Sequence, residues 1–299
     1  MKLRQASLLS DMDKEMGLAA KTKSIIQRYD FAFKKNFGQN FLIDEHVLNK
    51  IISSADITKE DTVLEIGPGI GTLTQALARC AGKVIAVEID KTLVPILKEV
   101  LSDFDNIEII NKDILKTDIA ALAESSGGSL KLVANLPYYI TTPIIMGILE
   151  QRLPIESITV MVQKEVALRM QARPSTKDYG ALSLAVQYYC EPYLVANVPQ
   201  NCFMPRPNVD SAVIRLTPYH KPPVETVDEE LMFKLIKAAF SQRRKTLVNC
   251  LFNSPDFNFD KAQLGEILTS CGYDERVRGE TLTLEDFARL TDAFVKYNT

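Results

Sequence analysis

The chain has 299 residues, a formal net charge of −3 and 46% hydrophobic residues, enough apolar material for one large and one small core. No apolar run reaches the ~18–20 residues of a membrane span and the N-terminus lacks a signal-peptide core, so a cytoplasmic protein without a membrane partner is expected. Cys80, Cys190, Cys202, Cys250 and Cys271 include no C-x-x-C pair, and His46 and His220 have no nucleophile or base beside them; reduced thiols and no metal are the expectation.

In chain order, residues 1–20 read as a polar, weakly ordered lead, then a short helix over 21–29 and a basic pair, Lys34-Lys35. Strands near 62–66, 83–88, 107–110, 131–135 and 157–162 alternate with helices near 45–55, 71–81, 91–101, 142–151 and 163–172, the βα alternation of a doubly wound parallel sheet. After a helix over 180–189, strands near 192–198 and 210–217 read as an antiparallel edge hairpin. The Pro-rich segment Thr217-Pro218-Tyr219-His220-Lys221-Pro222-Pro223 breaks the pattern, and helices near 228–240, 243–251, 260–271 and 283–296 follow. The expected organisation is an α/β domain over 21–218, a linker over 219–227 and a small all-helical domain over 228–299.

The segment Val63-Leu64-Glu65-Ile66-Gly67-Pro68-Gly69-Ile70-Gly71 is a buried strand running into a glycine turn and a helix. Gly67 and Gly69 allow a sharp turn and close backbone approach to a ligand, and the helix that follows presents free N–H groups. The next strand ends at Glu88, a carboxylate placed to hold ribose hydroxyls. A dinucleotide turn of the G-x-G-x-x-G type needs glycine where this chain has Thr72, so a nucleotide site of another kind than NAD is expected.

Asn135-Leu136-Pro137-Tyr138 follows the apolar stretch from Leu130 to Ala134 and so sits at the carboxyl end of a strand, where open α/β sheets place their sites. Pro137 holds Leu136 extended and donates no N–H, leaving local carbonyls to accept alongside the Asn135 amide oxygen. Tyr138 offers a flat ring for a planar base. A plain turn before a helix capped by Thr142, with Pro143 in first position, explains Pro143 and leaves Asn135 and Tyr138 without a role.

Together with Phe37-Gly38-Gln39-Asn40-Phe41-Leu42, Asn111-Lys112-Asp113-Ile114, Gln163-Lys164-Glu165-Val166-Ala167 and the run from Phe203 to Ser211, these segments resemble, in order, the S-adenosylmethionine-dependent adenine N6-dimethyltransferases of ribosomal RNA, and their small-subunit branch most. The likeness runs from about Lys34 to the C-terminus; Ser175 stands where the family tends to have glycine, which leaves that loop's path open. It implies a Rossmann-like methyltransferase fold that binds S-adenosylmethionine. By the same resemblance Asn40 and Leu42 close over the cofactor, Gly67 with Gly69 lines its methionine end, Glu88 holds the ribose and Asp113 the adenine amino group. Asn135 faces both cofactor and target amine, with Leu136 and Pro137 beside it, and Phe203 stacks on an extruded adenine opposite Tyr138. The implied activity is N6,N6-dimethylation of two adjacent adenosines in a hairpin loop near the 3′ end of 16S ribosomal RNA in the small subunit, by a monomer. A macrolide-resistance type methyltransferase of large-subunit RNA, a DNA adenine methyltransferase and an assembly factor acting by binding are the alternatives.

Basic residues cluster in two places despite the negative sum: Lys164, Arg169, Arg173 and Lys177 within 163–178, and Arg243-Arg244-Lys245 at a helix junction. With Arg206, the residues Lys164, Arg169, Arg243, Arg244 and Lys245 are the candidates for RNA phosphate contacts. The competing assignment pairs the 243–245 cluster with Asp228, Glu229 and Glu230.

Overall fold

A computed structural model of the protein describes residues 16–31 and 38–297; residues 1–15 of the expected lead and the Lys34-Lys35 pair lie outside the described residues. The chain divides into two compact units, one of residues up to Lys164 with Tyr193–Thr217, the other of Glu165–Pro192 with Pro218–Thr299.

The first unit begins with α1 (Leu18–Arg28) and a short strand, β1 (Phe41–Leu42). There follow α2 (Glu45–Ala55), β2 (Thr62–Ile66), α3 (Thr72–Cys80), β3 (Lys83–Glu88), α4 (Val94–Val100), β4 (Ile107–Asn111), α5 (Ile119–Glu124), β5 (Leu130–Asn135), α6 (Thr141–Glu150) and β6 (Ile155–Gln163). Later in the chain come β7 (Cys190–Val198), β8 (Phe203–Met204) and β9 (Ser211–Pro218). Seven strands form one sheet in the order β4-β3-β2-β5-β6-β9-β7, parallel from β4 to β6, with β9 antiparallel to β6. Strands buried on both faces read as continuous apolar runs, which is why β2, β3 and β5 are legible as Val-, Leu- and Ile-rich stretches.

On one face Val63, Val84, Val133, Met161 and Val213 pack under Val47, Ile51 and Ala55 of α2 and Leu73 and Leu77 of α3. Asp44 starts α2 by accepting from the Val47 amide at 3.0 Å. β3 and β5 flank β2 on opposite sides, so the connections after β2 and β5 diverge and leave a crevice at their carboxyl ends.

Several expectations change. The two-stranded β1–β8 ladder and α5 were not foreseen, and β8 interrupts what read as a simple hairpin between β7 and β9. Helix α6 begins at Thr141 after Ile140 with no side-chain cap, so Pro143 is its third residue; Thr141 Oγ1 instead donates to the Pro137 carbonyl at 3.0 Å.

The second unit holds most of α7 (Lys164–Met170), α8 (Ala181–Tyr189), α9 (Glu229–Ala239), α10 (Leu247–Phe252), α11 (Lys261–Ser270) and α12 (Leu284–Tyr297). Tyr179, Leu184 and Tyr188 share a core with Met232, Leu235, Phe287 and Phe294, and the Tyr179 hydroxyl donates to the Leu282 carbonyl at 2.7 Å. That burial draws 165–192 to the C-terminal helices, where chain order alone placed the boundary at 218. Helix α10 starts at Leu247, with the Thr246 hydroxyl accepting from the Asn249 amide, so Ser241–Lys245 forms turns before the helix rather than its first turn.

Candidate active site

At the carboxyl ends of β2, β3 and β5 lies a cleft of about 1020 Å³, counted to its open mouth, which is room for a nucleoside-sized ligand. Gly67 and Gly69 both adopt left-handed backbone, with φ of 69° and 61°. A Cβ on Gly69 would come within 2.9 Å of the Phe41 ring, so this position excludes any side chain twice over, by dihedral and by space. The turn therefore lines the cleft with bare backbone.

Glu88 ends β3 at 4% exposure. Its Oε2 accepts from the Gly69 amide at 3.2 Å and its Oε1 from the Asp90 amide at 2.8 Å. Each oxygen keeps a further lone pair for a donor in the cleft. Burial pushes its pKa up to about 7, with the two amide bonds and that of Ile89 pulling the other way.

Asp113 lines the same cleft from the end of β4, its carboxylate accepting from the Leu115 amide at 3.0 Å. Asn40 and Leu42 close it from the segment around β1. Three ties hold that segment: Gln39 Nε2 donates to Asp90 Oδ2 at 3.1 Å, Asn135 Nδ2 donates to the Asn40 carbonyl at 2.9 Å, and Leu42 pairs with Phe203 in the β1–β8 ladder. The bond to Asn40 uses the amide NH₂ of Asn135 and leaves its Oδ1 as an acceptor.

Leu136 and Pro137 follow on the cleft wall. The Pro137 carbonyl already accepts from Thr141 Oγ1 and the Ile140 amide, so the carbonyl that remains for a ligand is that of Leu136. This corrects the expectation that either carbonyl could serve. Tyr138 lines the cleft half-buried, its hydroxyl 2.5 Å from Ser211 Oγ.

The sequence-predicted residues Asn40, Leu42, Gly67, Gly69, Glu88, Asp113, Asn135, Leu136, Pro137 and Tyr138 thus surround one cleft. Phe203 does not join them: at 3% exposure it packs with Leu42, Val47 and Ile51 in the core and is not on the cleft wall. Lys164 is half-buried, its amide donating to the Asp210 carbonyl at 2.9 Å, and Arg206 is exposed, its Nε donating to Gln200 Oε1 at 3.2 Å.

In the second unit Arg169, Arg243, Arg244 and Lys245 are exposed. Arg243 pairs with Glu280 at 3.7 Å and donates to the Thr176 carbonyl at 3.3 Å, whereas Arg244 and Lys245 make no ion pair among the described residues. The acids thought to compete for them are engaged otherwise. Asp228 caps α9, Glu229 accepts from the Tyr188 and Tyr189 hydroxyls, and Glu230 pairs with Lys234.

Glu65 is a cleft residue the sequence reading missed. It is 1% exposed on β2, and its Oε2 has no partner among the described residues. Burial first, and then the charge of Glu88, push its pKa up to about 8. An ordinary glutamate releases its proton near 4.5, so the folded state holds a proton that the unfolded chain has lost, and stability falls as pH rises from about 4.5 to 8. Glu65→Gln in the unliganded protein is expected to gain ~1–3 kcal/mol on the wild type between about pH 5 and pH 8 in denaturant unfolding. Parallel pH curves for the two proteins would show that Glu65 is ionised throughout.

A strand-order switch with a glycine turn, a ribose-type carboxylate on the next strand and an amide at the end of β5 defines the class: this is a Rossmann-like S-adenosylmethionine-dependent methyltransferase fold. Solved structures agree. The chain resembles a dimethyladenosine transferase from Plasmodium falciparum, with a TM-score of 0.71, 29% identity and coverage of 86% of this chain and 98% of that one. It also resembles the 23S rRNA methyltransferase ErmE, with a TM-score of 0.65, 28% identity and coverage of 85% and 99%. The sequence profile for ribosomal RNA adenine dimethylases matches residues 30–289, and the chain belongs to that family. It is 61% identical to the ribosomal RNA small subunit methyltransferase A of Lachnoclostridium phytofermentans, over 93% of this chain and 97% of that protein. Against the protein of the same name from Clostridioides difficile the identity is 54%, over 91% and 94%.

Proposed function

We propose that this protein dimethylates the N6 amines of adjacent adenosines in small-subunit ribosomal RNA, in the cytoplasm and as a monomer. The observation that carries the reading is Asn135, fixed by its bond to Asn40 so that Oδ1 remains an acceptor, in one cleft with the Glu88 carboxylate.

S-adenosylmethionine fits the residues present. Glu88 has spare lone pairs for ribose hydroxyls, Gly67 leaves space beside the turn, and Asp113 offers a carboxylate for an exocyclic amine. When bound, it supplies an electrophilic methyl group on sulfur. The chain's own residues do the rest.

Adenine N6 is a poor nucleophile because its lone pair is delocalised into the ring. Accepting its hydrogens on Asn135 Oδ1 and the Leu136 carbonyl favours a pyramidal nitrogen with its lone pair available, and Tyr138 offers a ring face on which the base is held. Orientation and fixed dipoles then carry the rate with no strong base required, because the nitrogen, made cationic and acidic by the methyl group, gives its proton to water after transfer. A monomethylated amine keeps one hydrogen for the same acceptors, so the arrangement serves twice. The target base must be unpaired or extruded to enter.

The test is mapping of dimethyladenosine on both ribosomal RNAs from cells with and without the protein, with transfer measured in parallel on free RNA, small subunits and DNA. Marks lost from small-subunit RNA alone support the reading. Marks lost from large-subunit RNA would move the protein to the function of its ErmE-like relatives, and unchanged marks with defective subunits would make it an assembly factor.

The basic turn before α10 bears on the RNA partner. Since Arg243 is already paired, Arg244 and Lys245 are the side chains free for phosphates. Replacing both with Gln is expected to flatten the log–log salt dependence of subunit binding by ~0.7–0.9 for each lost contact, leaving the methylated position unchanged. Arg243→Gln should instead lower thermal stability by about 1 kcal/mol or less, as for an exposed ion pair. An unchanged salt slope in the double variant would remove the turn from the RNA-binding surface.

A further inference from the structure

The Tyr138 hydroxyl lies 2.5 Å from Ser211 Oγ, a short bond between residues 73 apart in sequence. Ser211 opens β9, is fully buried, and pairs with Gln163 at the end of β6. The residue before it is held twice: the Lys164 amide donates to the Asp210 carbonyl at 2.9 Å, and Asp210 Oδ1 accepts from the Gln200 amide at 3.3 Å. Tyr138 itself begins a 3₁₀ turn, Tyr138–Ile140, that the Thr141 and Ile140 bonds to the Pro137 carbonyl hold in shape. The ring is therefore anchored at its backbone end by that turn and at its hydroxyl end by a serine on a sheet strand, with the cleft beside it.

A tyrosine needed only to stack on a base has no use for its hydroxyl. Phenylalanine would present the same face. Burying a serine so that its hydroxyl meets that of the tyrosine makes sense when the direction of the ring matters, because a bond at the hydroxyl fixes the long axis of the ring by holding the torsion about Cα–Cβ in one well. We infer that Ser211 is a positioning residue for methyl transfer, holding Tyr138 in the orientation that presents the adenine to Asn135 and the Leu136 carbonyl. This rests on the reading of the cleft as an adenine acceptor site. It also gives a role to the last residue of the Phe203–Ser211 segment, whose first residue the structure places in the core.

The bond holds Tyr138, the residue read as the adenine platform, so its loss acts on the base rather than on the cofactor, which the cleft holds through Glu88. Ser211→Ala and Tyr138→Phe are each expected to lower kcat on small subunits about tenfold at saturating RNA and cofactor, a barrier change of about 1.4 kcal/mol. Because both remove one bond, the double variant should be no slower than either single one. Cofactor affinity by calorimetry should stay within about twofold in all three, and a fall in Tm alone is what a purely structural bond would give.

Five proteins decide the matter: wild type, Ser211→Ala, Tyr138→Phe, the double variant of these two, and Tyr138→Ala. If the wild type transfers no methyl group, or Tyr138→Ala retains full kcat, the acceptor-site reading itself fails. If Tyr138→Ala is crippled while Ser211→Ala or Tyr138→Phe keeps normal kcat, only the positioning role of Ser211 is overturned; additive losses in the double variant overturn it equally. Should Ser211→Ala not fold, Tyr138→Phe decides alone, since it leaves the serine and the ring in place and removes only the bond.

Discussion

Asn135→Ala is expected to lower turnover ~100- to 1000-fold with cofactor saturating, the loss typical of one preorganised polar group acting on a developing charge. Two effects meet in this residue. Its Oδ1 is the side-chain acceptor at the end of β5, and its Nδ2 ties the chain at Asn40 across the cleft at 2.9 Å. The first belongs to the reaction and the second to the closure of the cleft, and different substitutions separate them. Asn135→Asp keeps an oxygen toward the amine and loses the donor to Asn40, so its affinity for cofactor should fall along with kcat. Asn135→Ala with an unchanged melting temperature and normal turnover would show that the amine is received elsewhere, and the proposed chemistry would go with it.

What could be read in advance was whatever depends on local dihedrals and apolar runs. Gly67 and Gly69 announce a turn because glycine adopts φ of 69° and 61° without the steric cost that a Cβ brings. Glu88 and Asn135 were legible as polar residues terminating apolar runs, and a parallel sheet brings such strand ends together without further instruction. The family profile over residues 30–289 and the small-subunit relatives match the resemblance carried by those same motifs.

What could not be read depends on contacts distant in sequence. Phe203 stands in a segment stiffened by Pro205 and Pro207, and nothing local says which side its ring will take. The β1–β8 ladder decides it, pairing Phe203 with Leu42 from some way back in the chain and turning it into the core. Glu65 lies in Val63-Leu64-Glu65-Ile66, which reads as a buried strand, but nothing local says that its carboxyl opens into the cleft. The sheet order, with β2 between β3 and β5, leaves such a residue no solvent to face. The warning was available: a strand central enough to be apolar throughout has no outward position for a carboxylate. The start of α10 failed for a local reason. Basic residues continue a helical-looking run up to Thr246, and it is the threonine cap, not the charge, that marks the first turn.

Glu88→Ala is expected to weaken S-adenosylmethionine binding by ~3–6 kcal/mol, from two hydrogen bonds to a charged group at ~1.5–3 kcal/mol each, while RNA binding persists. The carboxylate also accepts from the Gly69 and Asp90 amides, so alanine leaves those buried donors unpaired and the loss should exceed that of Glu88→Gln, which keeps one acceptor oxygen among them. The pH dependence gives an independent check with a definite sign. Ribose hydroxyls prefer the ionised carboxylate, and burial has pushed Glu88 up to about 7, so below that pH the free protein must lose a proton before it binds well. Apparent affinity should therefore rise with pH through about 7 and level off above it, by up to tenfold per pH unit on the acid side, and binding there should release protons in buffers of differing ionisation enthalpy. Glu65 titrates nearby, so the measurement is made in Glu65→Gln as well, where the rise through about 7 should persist, because Glu65 still holds its proton at that pH. In Glu88→Gln the rise should vanish. A pH profile that is flat in the wild type, or unchanged in Glu88→Gln, would mean that this carboxylate does not hold the ligand.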